Sequence, residues 1–411
     1  MENASVEVAK HWLFILAIVL TTGMVVGRIA QFLRVPDVVL FLLAGIAIGP
    51  SVLSWISVPS ESTVNQLILV FGASYILFDG GASLSFRVLK SVGITVVLLA
   101  TLGVLVTAGV TGVAAHFFLS LPWISAFLLA AVIASTDPAT IIPVFKQIKI
   151  RERLTQAVIS ESAFNDATGA ILTFTLLGVI TGGNFSLAGS LAQFSLMVIG
   201  GLVAGAVFGY LAAFLIAHEK YSFLMEFAPL TTVVVVAGAY LAADGINSSG
   251  FMAVFVFGAV LGNADMLGFK MKKDYQERMH EFIQVTALAS RMIIFILLGS
   301  QVDFGLVGQY VWTGLGVIFV FMLIARPLTV FTCALPDRIA KWTWQELLCL
   351  CWTRETGVIP AALAGLLLGQ KIADAKVIAS ITFLAVAATI LVQAPTTRFL
   401  AQRLGLLEDT K

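Results

Sequence analysis

Two stretches of this sequence place carboxylates where a charge is most costly. The first is Ser135-Thr136-Asp137-Pro138-Ala139-Thr140 and the second is Glu161-Ser162-Ala163-Phe164-Asn165-Asp166; both interrupt long apolar runs. A carboxylate inside a bilayer costs several kcal/mol unless it binds an ion, takes a proton or meets a partner. Offsets of three and four put Ser162, Asn165, Asp166 and Gly169 along one helical stripe, with Glu161 one turn before Asn165. Such a stripe suits cation and proton chemistry. A buried carboxylate holds a proton or a partly dehydrated cation, but not both. A hard cation takes oxygen ligands, which Asp166, Ser162 and the Thr136 backbone can supply together with water.

The elements that would position these groups are helices with defects. Pro138 has no N–H to donate and disfavours helical geometry at Asp137. The expected arrangement over 123–147 is a half-helix ending near Ser135 and a second one capped by Asp137, with Pro138 at its first position. The alternative is a plain proline kink in which Asp137 caps for structure only. In either case the break frees the Thr136 carbonyl and hydroxyl. The next span, 154–180, carries the Asn-Asp stripe. A second interruption, Trp352-Thr353-Arg354-Glu355-Thr356-Gly357-Val358-Ile359-Pro360, lies inside the run 343–369. There Arg354 suits the negative end of a first half-helix and Glu355 the positive start of a second.

Arg326, in Ala325-Arg326-Pro327, is another intramembrane cation and needs a carboxylate. Glu161 is the one left once Asp166 is given to the ion, so a buried Glu161–Arg326 pair is expected. Asp79, in Leu77-Phe78-Asp79-Gly80-Gly81, reads equally as a boundary residue facing water or as a site residue. Arg291 has no evident partner. His11, His116, His218 and His280 fall near membrane edges, apart from one another.

Composition sets the class. Hydrophobic residues make up 59% and charged ones 11% of 411 residues, against about 25% charged in a soluble domain; mean hydropathy is +1.01. No soluble core absorbs such a chain, so it reads as an all-α polytopic membrane protein. At roughly 20 residues per crossing, thirteen spans can be read near 11–33, 36–53, 63–79, 91–118, 123–145, 154–180, 187–216, 226–243, 249–265, 279–300, 306–331, 343–369 and 376–400. Most of the 24 basic residues fall in alternate connections on one side, with Lys10, Lys371 and Lys376 on the other. By the positive-inside rule the N-terminus is outside and the C-terminus cytoplasmic. An acidic start, Met-Glu-Asn-Ala-Ser-Val-Glu, argues for a retained first span rather than a cleaved signal. Cys333, Cys349 and Cys351 have no metal-binding spacing and read as packing residues, and no cofactor is implied. The net charge of +1 says nothing about partners, but no basic run is long enough for nucleic acid, so none is expected as a partner.

Two interrupted spans seven apart in order fit two inverted six-helix repeats around a linker span, with the broken helices crossing near the midplane; such a pair marks a transporter's binding site. With these residues in view, the chain resembles the NhaP-type sodium/proton antiporters of the monovalent cation–proton antiporter superfamily, in the electroneutral Asn-Asp branch. The resemblance runs over the whole chain. It is most specific at Ala134–Thr140 and Glu161–Asp166, with support from the Arg326 and Arg354 segments and Gly45/Gly49-Pro50. It implies a homodimer, with interface parts at 1–87 and 187–302 (the linker helix included) and a mobile core at 88–186 and 303–411. Asp166 then matches the essential ion-binding aspartate, while Thr136, Ser162 and Asp79 match further ligands or water-mediated contacts. Glu161 and Arg326 match the family's stabilising pair, with Asn165 as a support beside it.

The expected activity is exchange of Na+, or Li+, for H+ across the cell membrane by alternating access, electroneutral at one to one, serving sodium and pH homeostasis. The chain is thus a secondary transporter and not an enzyme. A K+/H+ antiporter is the alternative within the class; a cation channel or sensor on the same architecture is the alternative outside it. An intramembrane aspartyl protease would need a Gly-x-Gly-Asp pattern, which is missing.

Overall fold

The computed structural model describes residues 2–33, 35–59, 62–136, 142, 144–145, 150–182, 187–218 and 221–407. In chain order the helices are α1 (Glu2–Leu33), α2 (Asp37–Ile48), α3 (Thr63–Ala82), α4 (Phe86–Ala100), α5 (Leu102–Leu119), α6 (Trp123–Ala134) and α7 (Glu152–Ile180). They continue as α8 (Leu187–Ala217), α9 (Ala228–Gly245), α10 (Gly250–Gly262), α11 (Lys273–Ser300), α12 (Phe304–Val320) and α13 (Arg326–Ala334). The last are α14 (Trp344–Trp352), α15 (Val358–Gly369), α16 (Ala375–Ala388) and α17 (Ala394–Arg403). Among the described residues, nine helical segments are long and apolar enough to cross a membrane, and four shorter apolar helices lie among them. Grouped by pass, the chain crosses about thirteen times. The outside of the bundle is apolar: Phe32, Val234, Trp312 and Phe319 are exposed. Surfaces of that kind are stable only against lipid.

Sequence punctuates these helices in recognisable ways. Ser62 caps α3 and Ser249 caps α10, each accepting a backbone N–H three residues on. Thr343 and Glu346 form a reciprocal capping box at the start of α14. The fourth pass, expected as one continuous span, is instead interrupted at Thr101, between α4 and α5. The carbonyl of Ala100, freed by that break, accepts the Thr168 hydroxyl of α7 at 2.6 Å.

Two of the passes contain single π-helical turns, Phe321–Ala325 between α12 and α13 and Thr389–Gln393 between α16 and α17. Each precedes a proline, Pro327 and Pro395. A proline cannot bond the carbonyl four residues back, and a π turn is one way a helix absorbs that loss.

Helices α1–α3 and α8–α11 pack chiefly on one another, as do α4–α7 and α12–α17. The crossing of α2 with α11 requires glycine: a Cβ at Gly45 would overlap the Ile296 carbonyl, and one at Gly299 that of Leu42. Small residues let backbones approach this closely where dispersion must hold helices together in lipid. Cys333, Cys349 and Cys351 are buried and reduced.

Side-chain bonds fasten the second group of helices on the side of the C-terminus. Glu346 is buried and meets Arg153 of α7 at 3.0 Å, and Arg153 in turn lies over the Trp342 ring. Asp337, in the α13–α14 connection, accepts from the Thr95 N–H (3.0 Å) and hydroxyl (2.7 Å) and from the Ile339 and Ala340 N–H groups (3.0 Å each). Burial pushes this carboxyl up, but those four bonds outweigh it and hold the group below the ordinary carboxylate range. A carboxyl depressed in the folded state stabilises above its unfolded pKa and loses that contribution as pH falls through the folded one. Asp337→Asn is therefore expected to destabilise at neutral pH, by about 1–3 kcal/mol for strained or unmade buried bonds. It should also flatten the loss of stability below the carboxylate range, and thermal melts of parent and variant across acid pH check both effects.

Candidate functional site

The site is built where α7 passes the end of α6. Helix α6 stops at Ala134, and Ser135 is already extended (φ −77°, ψ 150°). Asp137 and Pro138, expected to cap and start the second half-helix, lie outside the described residues. On α7, Asn165 faces the break and grips it with both ends of its amide. Its Oδ1 accepts the Thr136 N–H at 3.1 Å, and its Nδ2 donates to the Thr136 hydroxyl at 2.8 Å. One turn on, a Cβ at Gly169 would lie 3.1 Å from Ser135 Cβ, so only a small residue lets the broken strand lie this close. The N–H of Thr136 is thus occupied, and its carbonyl and remaining hydroxyl lone pair are what it can offer an ion.

The second break, Thr353–Gly357 between α14 and α15, meets the first. Arg354 reaches out of it and donates to the Ala134 carbonyl, the last of α6, with its guanidinium 4.9 Å above the Phe321 ring. The carbonyl end of α14 is served by Arg326, whose Nε donates to Leu350 O (2.9 Å) and Nη2 to Thr353 O (3.0 Å). The two arginines therefore work crosswise. Arg354 meets the negative end of the facing half-helix rather than that of its own, against the simplest reading of its place in sequence. A cation at an exposed helix C-terminus satisfies carbonyls and opposes the helix dipole, and both matter more away from water.

Arg326 also forms a bidentate pair with Glu161, Nη1 to Oε1 at 2.5 Å and Nη2 to Oε2 at 3.0 Å. Both side chains are buried, at 0% and 2% exposure. Glu355 is buried in the unwound segment, two residues before the α15 cap at Gly357.

Asp166 is 3% exposed and lines a cavity of about 470 Å³. The cavity lies between the two helix groups, with Ala73 of α3 and Met197 of α8 on one wall and Leu363 of α15 on the other. Gln66, Asp244 and Ser248 mark its mouth, at helix ends on the same side as the N-terminus. Ser162 Oγ and Ser135 Oγ are buried with no hydrogen-bond partner among the described residues. Buried hydroxyls rarely stay unsatisfied, and here they flank a carboxylate at the floor of a cavity. A carboxylate, two hydroxyls and a backbone carbonyl are donors that suit a hard monovalent cation travelling as substrate. Among the described residues no cluster of three His, Cys, Asp or Glu offers a resident metal site.

Asp79 is buried near the end of α3, where Gly80 packs on Ile142 and Ile159, and it is not among the residues that line the cavity.

Some contributors carry a weaker signal in the sequence. Thr389 accepts the Thr356 N–H at 3.1 Å, and Gln393 Nε2 donates to the Trp352 carbonyl at 2.8 Å, so the π turn Thr389–Gln393 grips the second break at both ends. The available signal is the repeated spacing of Ala325-Arg326-Pro327 and Gln393-Ala394-Pro395. Asp244 and Tyr240, at the cavity mouth, resemble ordinary residues of a helix end.

The comparisons with known proteins agree with this geometry. The chain is 31% identical over 363 residues to Na(+)/H(+) antiporter 1 of Methanocaldococcus jannaschii, covering 85% of this chain and 81% of that one. It is 28% identical over 412 residues to the low-affinity Na(+)/H(+) antiporter NhaS1 of Synechocystis, covering 97% and 75%. It is 30% identical over 363 residues to the K(+)/H(+) antiporter NhaP of Alkalimonas amylolytica, covering 87% and 60%. The solved structure of the sodium proton antiporter MjNhaP1 of M. jannaschii at pH 8 superposes with a TM-score of 0.79 at 30% identity, over 95% of this chain and 97% of that one. The model of the transmembrane sodium/hydrogen exchanger family matches residues 15–403, nearly the whole chain, and with the broken helices meeting beside Asp166 it places this protein in that family.

Proposed function

We propose that this protein exchanges sodium for protons across the cell membrane by alternating access at Asp166. The observation that carries the reading is the position of that carboxylate, buried at the floor of a cleft between two helix groups, beside two broken helices. Asp166 takes either a proton or a cation, with Ser162 and the Thr136 carbonyl completing the cation's oxygen shell. The core at 88–186 and 303–411 moves against the interface parts at 1–87 and 187–302 only when the site is filled. Competition at one carboxylate then yields one cation for one proton. The distribution of basic residues supports an N-terminus, and with it a cleft mouth, on the outside. A homodimer through the interface helices is the assembly that fits this division of labour.

Proton flux in proteoliposomes, driven in turn by sodium, lithium and potassium gradients, tests the proposal. Sodium and lithium are expected to drive proton movement at a rate that an imposed membrane potential leaves unchanged. Flux driven by potassium alone would favour the K+/H+ reading, which one relative's name supports. Cation leak without proton movement would mean a channel.

A further inference from the structure

We propose that Thr389 is a positioning residue for cation binding, the counterpart on the last pass of Asn165 on α7. This rests on the exchange reading above. Both breaks have a backbone N–H that a neighbouring pass must satisfy. At the first it is Thr136 N–H, taken by Asn165 Oδ1 at 3.1 Å; at the second it is Thr356 N–H, taken by Thr389 Oγ1 at 3.1 Å. The Thr389 hydroxyl proton goes to the Ala385 carbonyl at 2.9 Å, which leaves the oxygen lone pair aimed at Thr356. One turn on, Gln393 holds the Trp352 carbonyl. Thr389 and Gln393 are both fully buried. The unwound segment is therefore pinned just before its start by Gln393 on the Trp352 carbonyl, at its first residue by Arg326 on the Thr353 carbonyl, and near its end by Thr389.

What that pinning controls is Arg354. Arg354 leaves the segment between those fixed points and donates to the Ala134 carbonyl, at the end of α6. The next residues, Ser135 and Thr136, are those that lie against Gly169 and Asn165 beside Asp166. A continuous chain of bonded groups thus runs from the π turn to the ion's oxygen donors. A buried threonine that merely bonds the carbonyl four residues back would satisfy itself and touch nothing else. Here the same oxygen also receives a peptide N–H from another pass. An unheld Thr356 lets the segment shift, moves Arg354 off Ala134, and loosens the site without removing a ligand.

Thr389→Val keeps the shape and removes the acceptor; Thr389→Ser restores it. Thr389→Val is expected to raise the apparent KM for sodium roughly three- to tenfold, the scale of one buried hydrogen bond, with flux at saturating sodium nearly unchanged. Thr389→Ser should return KM to the parent value. Sodium-dependent stabilisation in thermal melts, read without transport, should show the same shift in concentration dependence, and Gln393→Met should move it in the same direction. A Thr389→Val protein that melts lower yet keeps the parent's sodium dependence would overturn the proposal, as would a Ser variant that fails to rescue. A parent that neither exchanges nor is stabilised by sodium would overturn the exchange reading and this proposal together. A parent that does both, beside a Val variant indistinguishable from it, overturns this proposal alone.

Discussion

Asp166→Asn is expected to reduce sodium-driven proton flux to the background of empty liposomes, a loss of at least about a hundredfold, the usual scale for removing a positioned proton carrier. The amide has the carboxylate's shape but cannot take up or release a proton, and as a ligand it carries no charge to offset a dehydrated cation. Ser162 and the Thr136 carbonyl stay in place, and so does the Glu161–Arg326 pair on the other side of α7. The variant should therefore purify and melt like the parent, so that only the exchange differs. Exchange at the parent rate in that variant would remove Asp166 from the mechanism.

The second large effect concerns stability. Glu161→Ala or Arg326→Ala leaves one charge buried without its partner, at a cost of about 3–5 kcal/mol. The pair is bidentate and sealed from solvent, so neither water nor salt relieves the loss. Replacing both residues by apolar ones of similar volume should recover much of that deficit, since no charge is then stranded. Recovery should stay incomplete. Arg326 also holds the carbonyls of Leu350 and Thr353, and an apolar residue leaves the end of α14 unsatisfied. Thermal melts of the two single variants and the double one form the cycle that measures the coupling. Single variants that melt like the parent would show that the contact stabilises nothing.

How far the chain could be read from its residues depends on where water is missing. In a bilayer every ionisable or helix-breaking residue stands out against an apolar background, so the passes, both breaks, Asp166 and the Glu161–Arg326 pairing are legible from residue type and spacing alone. The break at Thr101 is not, because no proline marks it and a single glycine nearby, Gly103, is tolerated inside many helices. The π turn before Pro395 is hard to read for a related reason: a proline announces that a helix must adjust, but not whether it kinks, breaks or takes in an extra residue.

The sequence by itself determined the class, the passes and the groups able to carry a cation or a proton, because desolvation makes each of those groups too costly to be incidental. Only the tertiary structure decided which group serves which. Asn165 turns to Thr136, 29 residues away, and Arg354 to Ala134, 220 residues away. Thr389 likewise answers a backbone group, and Arg326 answers two besides the Glu161 carboxylate. Every residue but proline has a peptide N–H and carbonyl of the same kind, so side-chain type does not report which of them a break has exposed. That is settled by where each helix stops and which pass lies beside it.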